Sequence, residues 1–477
     1  MTAVDQHHAL RFPPCPGRTP HLPAGAQTVV RARLPGWRSP EEAALALGRD
    51  GDLVWMDAGH GARRGLSVLG WGSEVLAARA TDHQRLAEAL DRLRGTLRAP
   101  QRNSRPLGWY GWIGYGTAAA TLAPADPEWA GRLADPERPD LCLLRVDRAI
   151  VFDHARRSAE LVRCRSAGGG HDTGSWHEAV SGWWSGTRSP APVPAQVTSA
   201  PARSGAVWAD DDATYLRLIA RCQDAIRDGD AYLLCLTTSA HVRGVTDDLE
   251  TYRRLRRGSP APRARFMRLG GTAVLSASPE RFLTVAADGT VMTSPIKGTR
   301  PRGRTPKDDR RLAAELLASE KERAENVMIV DLMRNDLNKV CLPGSVEVTE
   351  LFGVHSYPHV HQLVSTVRGS LRPGSGALDA FLACFPAGSM TGAPKRRAVE
   401  LLSSWEAGPR GVYSGALGAF LLDGSADLAV VIRTIVMADG VARIGAGGGI
   451  TSSSVPVEEL AEVKTKAAAL LAALGTR

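Results

Sequence analysis

Glu280 and Lys297 frame the stretch SPERFLTVAADGTVMTSPIKGTRPRG (278–303), an acid and a lysine near the two ends of what reads as a β-hairpin. Alternating apolar residues predict strands over 275–278 and 282–286, a tight turn at 287–290 and a returning strand over 291–296. Held close across such a pair, a lysine can serve as nucleophile and a carboxylic acid as proton donor. The same two side chains also make an ordinary structural ion pair, and the stretch by itself leaves both readings open.

Two Glu-x-x-Glu pairs carry a second kind of chemistry. Glu322 and Glu325 lie three apart on a predicted helix; Glu459 and Glu462 do the same near the C-terminus, with Lys466 one turn further on. Residues three apart share a helix face, so each pair brings two carboxylates together. Such carboxylates repel unless a cation joins them. Their oxygens suit Mg²⁺, which takes one or two carboxylates plus waters and an anionic ligand. Exposed glutamates at this spacing are also common on solvated helices. The glycine run GAGGGI (445–450) reads as a turn whose bare backbone N–H groups can clasp a carboxylate. Arg433, Lys395 and Lys466 are candidates for pairing an anionic group. The glycines do not follow GxGxxG into a helix and no P-loop is present, so nothing points to a nucleotide. Taken together, these residues describe a site for a small polyanion with Mg²⁺.

Such a site needs a large scaffold. The chain has 477 residues, 43% hydrophobic and 23% charged, enough for two or three ordinary domains or one large composite. Its longest apolar stretches are of strand length, so no membrane span is expected. The first residues lack the charged-then-apolar pattern of an export signal, and a cytoplasmic protein is expected. Seven scattered cysteines argue against a disulfide framework or a zinc ribbon. A net charge of +9 favours an anionic small substrate or an acidic protein partner. The densest basic run, YRRLRRGSPAPRARFMR (252–268), has no interleaved aromatic platform and no recognition motif. It reads as a solvated helix face and loop, with no nucleic-acid partner expected.

Proline-rich residues 1–25 read as a disordered leader, and 26–165 as an N-terminal region of alternating strands and helices. Residues 166–205 read as a Pro/Gly-rich linker with a short helical patch at 176–184, and 206–477 as the catalytic region. That region opens with a capped helix (210–227) and a strand after Gly229-Asp230 (231–238). A helix over 308–337, broken once near Ser319, carries the first glutamate pair. Strands are predicted at 412–422, 428–437 and 441–446, and a terminal amphipathic helix over 458–474 carries the second pair.

Seven ordered motifs go further. SPERF (278–282), PIKGTRPRG (295–303), ENVMIVDLMRNDL (325–337), SMTGAPKRRAVELL (389–402), YSGALGAF (413–420), VIRTIV (431–436) and AGGGITSSSVPVEELAEVKTKA (446–467) resemble the chorismate-utilising enzymes. These comprise the component I chains of anthranilate and aminodeoxychorismate synthases, and the isochorismate and salicylate synthases. The resemblance is strong over 210–474 and looser over 27–165. It implies an α+β fold, a large composite of stacked, mostly antiparallel sheets flanked by helices. It also implies Mg²⁺ held by Glu325 and Glu462, with Glu322 and Glu459 in support. Thr391, Tyr413, Arg433, Gly447, Gly449 and Lys466 resemble the family's chorismate clasp, and Glu280 the acid that protonates the departing C4 hydroxyl.

Two positions bear on the reaction. Isochorismate and salicylate synthases resemble one another in a strand lysine that activates water, and Leu233 falls at the matching place, which argues against water addition. Anthranilate synthases resemble PIAGT where this chain reads PIKGT, and the lysine is a feature of the aminodeoxychorismate synthases. The implied chemistry is attack by Lys297 at C2 of chorismate, followed by ammonia at C4, for 4-aminobenzoate and folate formation. No glutaminase nucleophile motif surrounds any cysteine, so the resemblance implies ammonia from a separate glutamine amidotransferase subunit. Leu233, where the family commonly has Gln, and Gln362, where it commonly has His, are departures. His361, one residue earlier on the strand, is expected to face away from the site. An anthranilate synthase and a catalytically silent chorismate-binding homologue are the alternative readings.

Overall fold

The computed structural model describes residues 28–98, 100–101, 103–122, 126–165, 173–186 and 205–476. The expected leader and most of the expected linker lie outside the described residues. Inside the latter, Thr173–Trp184 is a helix whose Trp176, Trp183 and Trp184 are buried. Trp176 meets Trp71 at 5.6 Å and Trp184 meets Phe152 at 6.0 Å between ring centroids. Three tryptophans make this patch a packed element despite its linker-like flanks.

All strand pairings among the described residues are antiparallel. Two runs of strands diverge from Leu141–Asp153. One passes through Leu66–Ala78, Leu53–Met56, Arg263–Leu269, Thr272–Ser278, Thr434–Ala438 and Val441–Ile450 to Leu233–Arg243. The other passes through Gly108–Ile113, Ala416–Leu421, Ala426–Val430, Arg281–Val285 and Thr290–Ser294 to Val360–Ser370. Val360–Ser370 also pairs Ile296–Pro301 and Glu347–Ser356. Residues from both sides of 166–205 thus share one sheet network, and the α+β composite fold is what the motifs implied.

The helix predicted over 308–337 is two helices, Pro306–Ala318 and Glu320–Asn338, with the break at Ser319. Ser319 ends the first and caps the second, its hydroxyl accepting from Glu322 N. The second helix buries Ile329, Val330, Met333 and Leu337 beside Phe282, Phe381 and Phe385, which fixes the face its glutamates present. At roughly 25 cal/mol per Å² of apolar surface, such a stripe is the main reason the helix stays docked.

The basic run at 252–268 has the expected helix, but its loop is only 259–262 and a strand follows, with most of its arginines turned inward. Asp248–Gly258 is a helix and Arg263–Leu269 a strand, and their arginines are spent on internal ion pairs. Arg256 donates to Asp57 Oδ2 at 2.7 Å and to Glu41 Oε2 at 2.5 Å, with its guanidinium over the Trp55 ring. Arg265 is 2% exposed and reaches Leu417 O and Asp427. Arg256 joins the N-terminal region to the helix Asp248–Gly258, and Arg265 joins its strand to Ala416–Leu421 and Ala426–Val430. Among the described residues no helix is long and apolar enough to cross a membrane.

Candidate active site

The expected hairpin is present as Arg281–Val285 and Thr290–Ser294, with Arg281 opposite Ser294 at its open end. Glu280 and Lys297 lie just beyond that end rather than on the paired strands. Glu280 sits in the corner after Thr272–Ser278, where Ser278 Oγ donates to Val430 O at 2.7 Å and Val430 N donates to Glu280 O at 3.2 Å. Lys297 follows the break at Pro295, whose carbonyl accepts from Ser365 N. Glu280 is buried, Lys297 is 12% exposed, and each lies in the electrostatic field of the other.

Burial pushes the Glu280 carboxyl up to about 7, against the Ser389 hydroxyl and the Lys297 and Lys466 ammonium groups. A carboxyl in that range holds a proton near neutrality and can donate it. Burial pulls Lys297 the other way, towards the neutral amine. Glu325, Cys235 and Glu280 outweigh it and hold Lys297 above the ordinary lysine range. Acidic neighbours thus dominate over burial, with Glu325 Oε2 3.5 Å from Lys297 Nζ.

The glycine run is a strand, not a turn. Val441–Ile450 pairs with Leu233–Arg243 along its whole length, Gly447 opposite Thr237 and Gly449 opposite Cys235. Periodicity could not reveal this, because glycine contributes nothing to an apolar pattern. Its purpose is room. A Cβ at Gly445 would overlap the Tyr413 ring. At Gly448 it would lie 3.2 Å from Glu459 Oε2, and at Gly449 3.2 Å from Lys297 Nζ and 3.1 Å from Leu233 Cδ1. The neighbouring strand Thr434–Ala438 pairs only as far as Ile444, so beyond it one edge has no strand partner. Gly447 O accepts from Lys466 Nζ at 2.8 Å on that edge. The N–H and C=O of one residue share an edge in an antiparallel strand, which turns the Gly447 and Gly449 N–H groups the same way.

The predicted strand over 428–437 is broken into Ala426–Val430 and Thr434–Ala438. Arg433, in the break, has φ +51°, a left-handed conformation rare for arginine. Its carbonyl accepts from Ala277 N, and among the described residues its guanidinium makes no ion pair. Burial lowers its pKa, with Tyr413 and Glu462 opposing. Thr391 is fully buried at the end of a short 3₁₀ turn, its hydroxyl donating to Gly388 O at 3.2 Å. Lys395 drops out as an anion ligand, since Asp336 Oδ2 and the carbonyls of Cys384 and Pro386 surround its ammonium at 2.5–2.7 Å.

Each of the four glutamates has a cation of its own. Lys297 faces Glu325, Arg300 faces Glu322 at 3.4 Å, Lys321 faces Glu459 at 3.0 Å and Lys466 faces Glu462 at 2.6 Å. Among the described residues no three acid, His or Cys groups converge as a ready metal cage. A hard cation needs fewer: Mg²⁺ commonly takes one or two carboxylates and completes its shell with water and an anion. Burial raises the Glu325 pKa; Glu322 and Glu459 add to this, while Lys297 and Lys321 oppose it. This all-oxygen set fits Mg²⁺. Lys321, Arg300 and Ser389 were not singled out from sequence; only Lys321 left a signal, as a lysine between two acids in the first turn of a helix.

Leu233 begins the strand Leu233–Arg243 and is buried against the same face of Gly449 as Lys297, where it can take no proton. His361 points away, its ring between Ser356 Oγ at 2.8 Å and Asp309 Oδ1 at 2.9 Å. A separate cleft of about 310 Å³ includes Tyr413 and Gly445 in its lining but none of the glutamates or lysines above.

Residues 52–472 match the family model of chorismate binding enzymes. The chain is 38% identical to an aminodeoxychorismate synthase of Streptomyces griseus, over 98% of this chain and 68% of that protein. It is 43% identical to one of Streptomyces pristinaespiralis, over 77% of this chain and 51% of that protein. The chain therefore spans about two thirds of the first and half of the second. It is also 40% identical to anthranilate synthase component 1 of Streptomyces coelicolor, over 77% and 72% of the two chains. The crystal structure of anthranilate synthase component I from Streptococcus pneumoniae superposes with a TM-score of 0.69 at 25% identity, covering 97% of this chain and 95% of that one. With the family model matching most of its length and a relative 38% identical over 98% of it, the chain belongs to the chorismate binding enzyme family.

Proposed function

We propose that the chain is a Mg²⁺-dependent aminodeoxychorismate synthase component, converting chorismate and ammonia to 4-amino-4-deoxychorismate. The observation that carries the reading is Lys297, beside Glu325 and Gly449 and in the field of Glu280. Arg433, Tyr413, Thr391, Lys466 and the N–H groups of Gly447 and Gly449 are the groups assigned to the substrate's carboxylates. Glu325 and Glu462, with Glu322 and Glu459, are assigned to Mg²⁺, which when bound supplies positive charge to a substrate carboxylate.

In this reading the neutral Lys297 amine attacks C2 of the ring, both double bonds of the ring diene shift, and the C4 hydroxyl leaves as water with the Glu280 proton. Ammonia then attacks C4, both double bonds shift back, and the C2–N bond to Lys297 breaks. Lys297 must first lose its proton. Once Glu325 is engaged elsewhere, burial governs this lysine and favours the neutral amine. Leu233 keeps water from the same spot. Ammonia is assigned to a glutamine amidotransferase partner, the product to 4-aminobenzoate and folate formation, and the setting to the cytoplasm.

Incubation of the purified chain with chorismate, Mg²⁺ and an ammonium salt tests this. The expected product is 4-amino-4-deoxychorismate without pyruvate. Anthranilate with pyruvate would overturn it in favour of the second reading, which the identity to the Streptomyces coelicolor enzyme supports.

A further inference from the structure

We infer that Lys321 is the built-in counter-ion of the glutamate cluster, a positioning residue that holds Glu459 when no divalent cation is bound and competes with that cation. The inference rests on the Mg²⁺ assignment above. Four carboxylates face four basic groups one to one, so the cluster is balanced as it stands. Two further positive charges among these paired carboxylates, two of them buried, are favourable only if a base withdraws.

Lys321 is the base built to do so. Lys297 is 12% exposed and lies against Gly449. Lys466 is tied to Glu462 and to Gly447 O at once, and Arg300 to Glu322 and to Thr299 O. Lys321 reaches in from solvent, 43% exposed along its side chain against 4% for its partner Glu459. Glu325 and Glu462 also lie in its field, so it faces three of the four carboxylates. Its place on the helix supports the same role. It is the second residue of Glu320–Asn338, at the positive end of the helix dipole, where a lysine is disfavoured unless acids hold it there. Glu459 does not depend on it for position. Ser454 Oγ donates to Glu459 Oε1 at 2.8 Å, so the carboxylate stays in place when the ammonium swings out.

The test is a titration of the full chain with Mn²⁺ alone, without chorismate, followed by the electron spin resonance of the free ion. Lys321→Met keeps the aliphatic stem and removes the competitor. It should tighten Mn²⁺ binding by roughly tenfold, the scale of one partly buried ion pair, while Lys321→Arg stays near the wild type. Equal Mn²⁺ affinity in wild type and Lys321→Met overturns the inference and leaves the metal assignment standing. No Mn²⁺ binding by either protein overturns both. Acylation of wild-type amines, read by mass spectrometry, gives an independent check should the variant fail to fold. Lys321 should be modified faster with Mn²⁺ present, and an unchanged rate overturns the inference.

Discussion

Lys297 Nζ lies 3.5 Å from Glu325 Oε2, the lysine on the strand Ile296–Pro301 and the acid on the helix Glu320–Asn338. One contact thereby joins the two roles proposed for the site, nucleophile and metal ligand. It also orders them. While Glu325 faces the ammonium, the amine is protonated and inert. In the proposed mechanism, drawing Glu325 to another cation would release the lysine, so the site without substrate and metal would hold its proposed nucleophile in check.

Lys297→Ala should therefore abolish amination at C4 and leave chorismate binding largely intact, because Arg433, Tyr413 and the glycine strand are untouched. Product chromatography and a chorismate binding titration measure the two separately. Unchanged turnover would refute a covalent role for this lysine.

Glu280 predicts a pH dependence. Its carboxyl titrates near 7 because burial disfavours the charge. As general acid it must be protonated, so turnover should fall as pH rises past about 7. Glu280→Gln should lose roughly 10²–10⁴-fold in rate and lose that alkaline limb. Stability moves in the same direction. Between the unfolded value of 4.5 and about 7 the folded chain keeps a proton that the unfolded chain has released. This contribution is present at low pH and lost as pH rises through that window. Glu280→Gln should accordingly raise the melting temperature at pH 8 and not at pH 4, and an equal change at both would count against a buried, charged Glu280.

Much of this site was legible in sequence because its residues sit in strongly patterned elements. Ser319 announced the helix break through its capping chemistry, and the spacing of Glu322 and Glu325 announced a shared face. What escaped notice lacks a local signature. Gly445–Ile450 carries no apolar alternation, so its ladder to Leu233–Arg243 emerges only from pairing distant in sequence. Arg433 interrupts an unbroken β-forming run, and its left-handed turn is imposed by the surrounding sheet. Arg256 and Arg265 looked like surface charge because their partners Asp57, Glu41 and Asp427 are far away along the chain.

The glycines give a graded prediction. Gly449→Ala puts a methyl 3.1 Å from Leu233 Cδ1 and 3.2 Å from Lys297 Nζ, the mobile end of a lysine. Stability should hardly change, but a shift of the lysine by a few tenths of an ångström should lower turnover by up to roughly tenfold, short of the ~10²-fold that a misplacement of about 1 Å can cost. Gly445→Ala meets the Tyr413 ring, which cannot yield as cheaply. It should cost about 1–3 kcal/mol of stability and raise the KM for chorismate. Calorimetry alongside steady-state kinetics separates the two, and equal stability losses would sink the distinction.

Arg256 predicts stability without function. It is 5% exposed and joins Glu41 and Asp57 of the N-terminal region to the helix Asp248–Gly258, while Tyr252 also donates to Asp57 at 3.2 Å. Arg256→Met fills much of the volume over Trp55 but leaves the Asp57 carboxylate buried without its cation. Breaking one side of a buried pair typically costs about 3–5 kcal/mol, because the remaining charge is uncompensated. Adding Asp57→Asn removes that charge and should restore part of the loss, a non-additivity that a double-mutant cycle in urea would read. The folded fraction of each variant should turn over chorismate at the wild-type rate, since no member of this network lines the lysine–glutamate site. A loss below about 1 kcal/mol for Arg256→Met would show that the arginine is solvated instead.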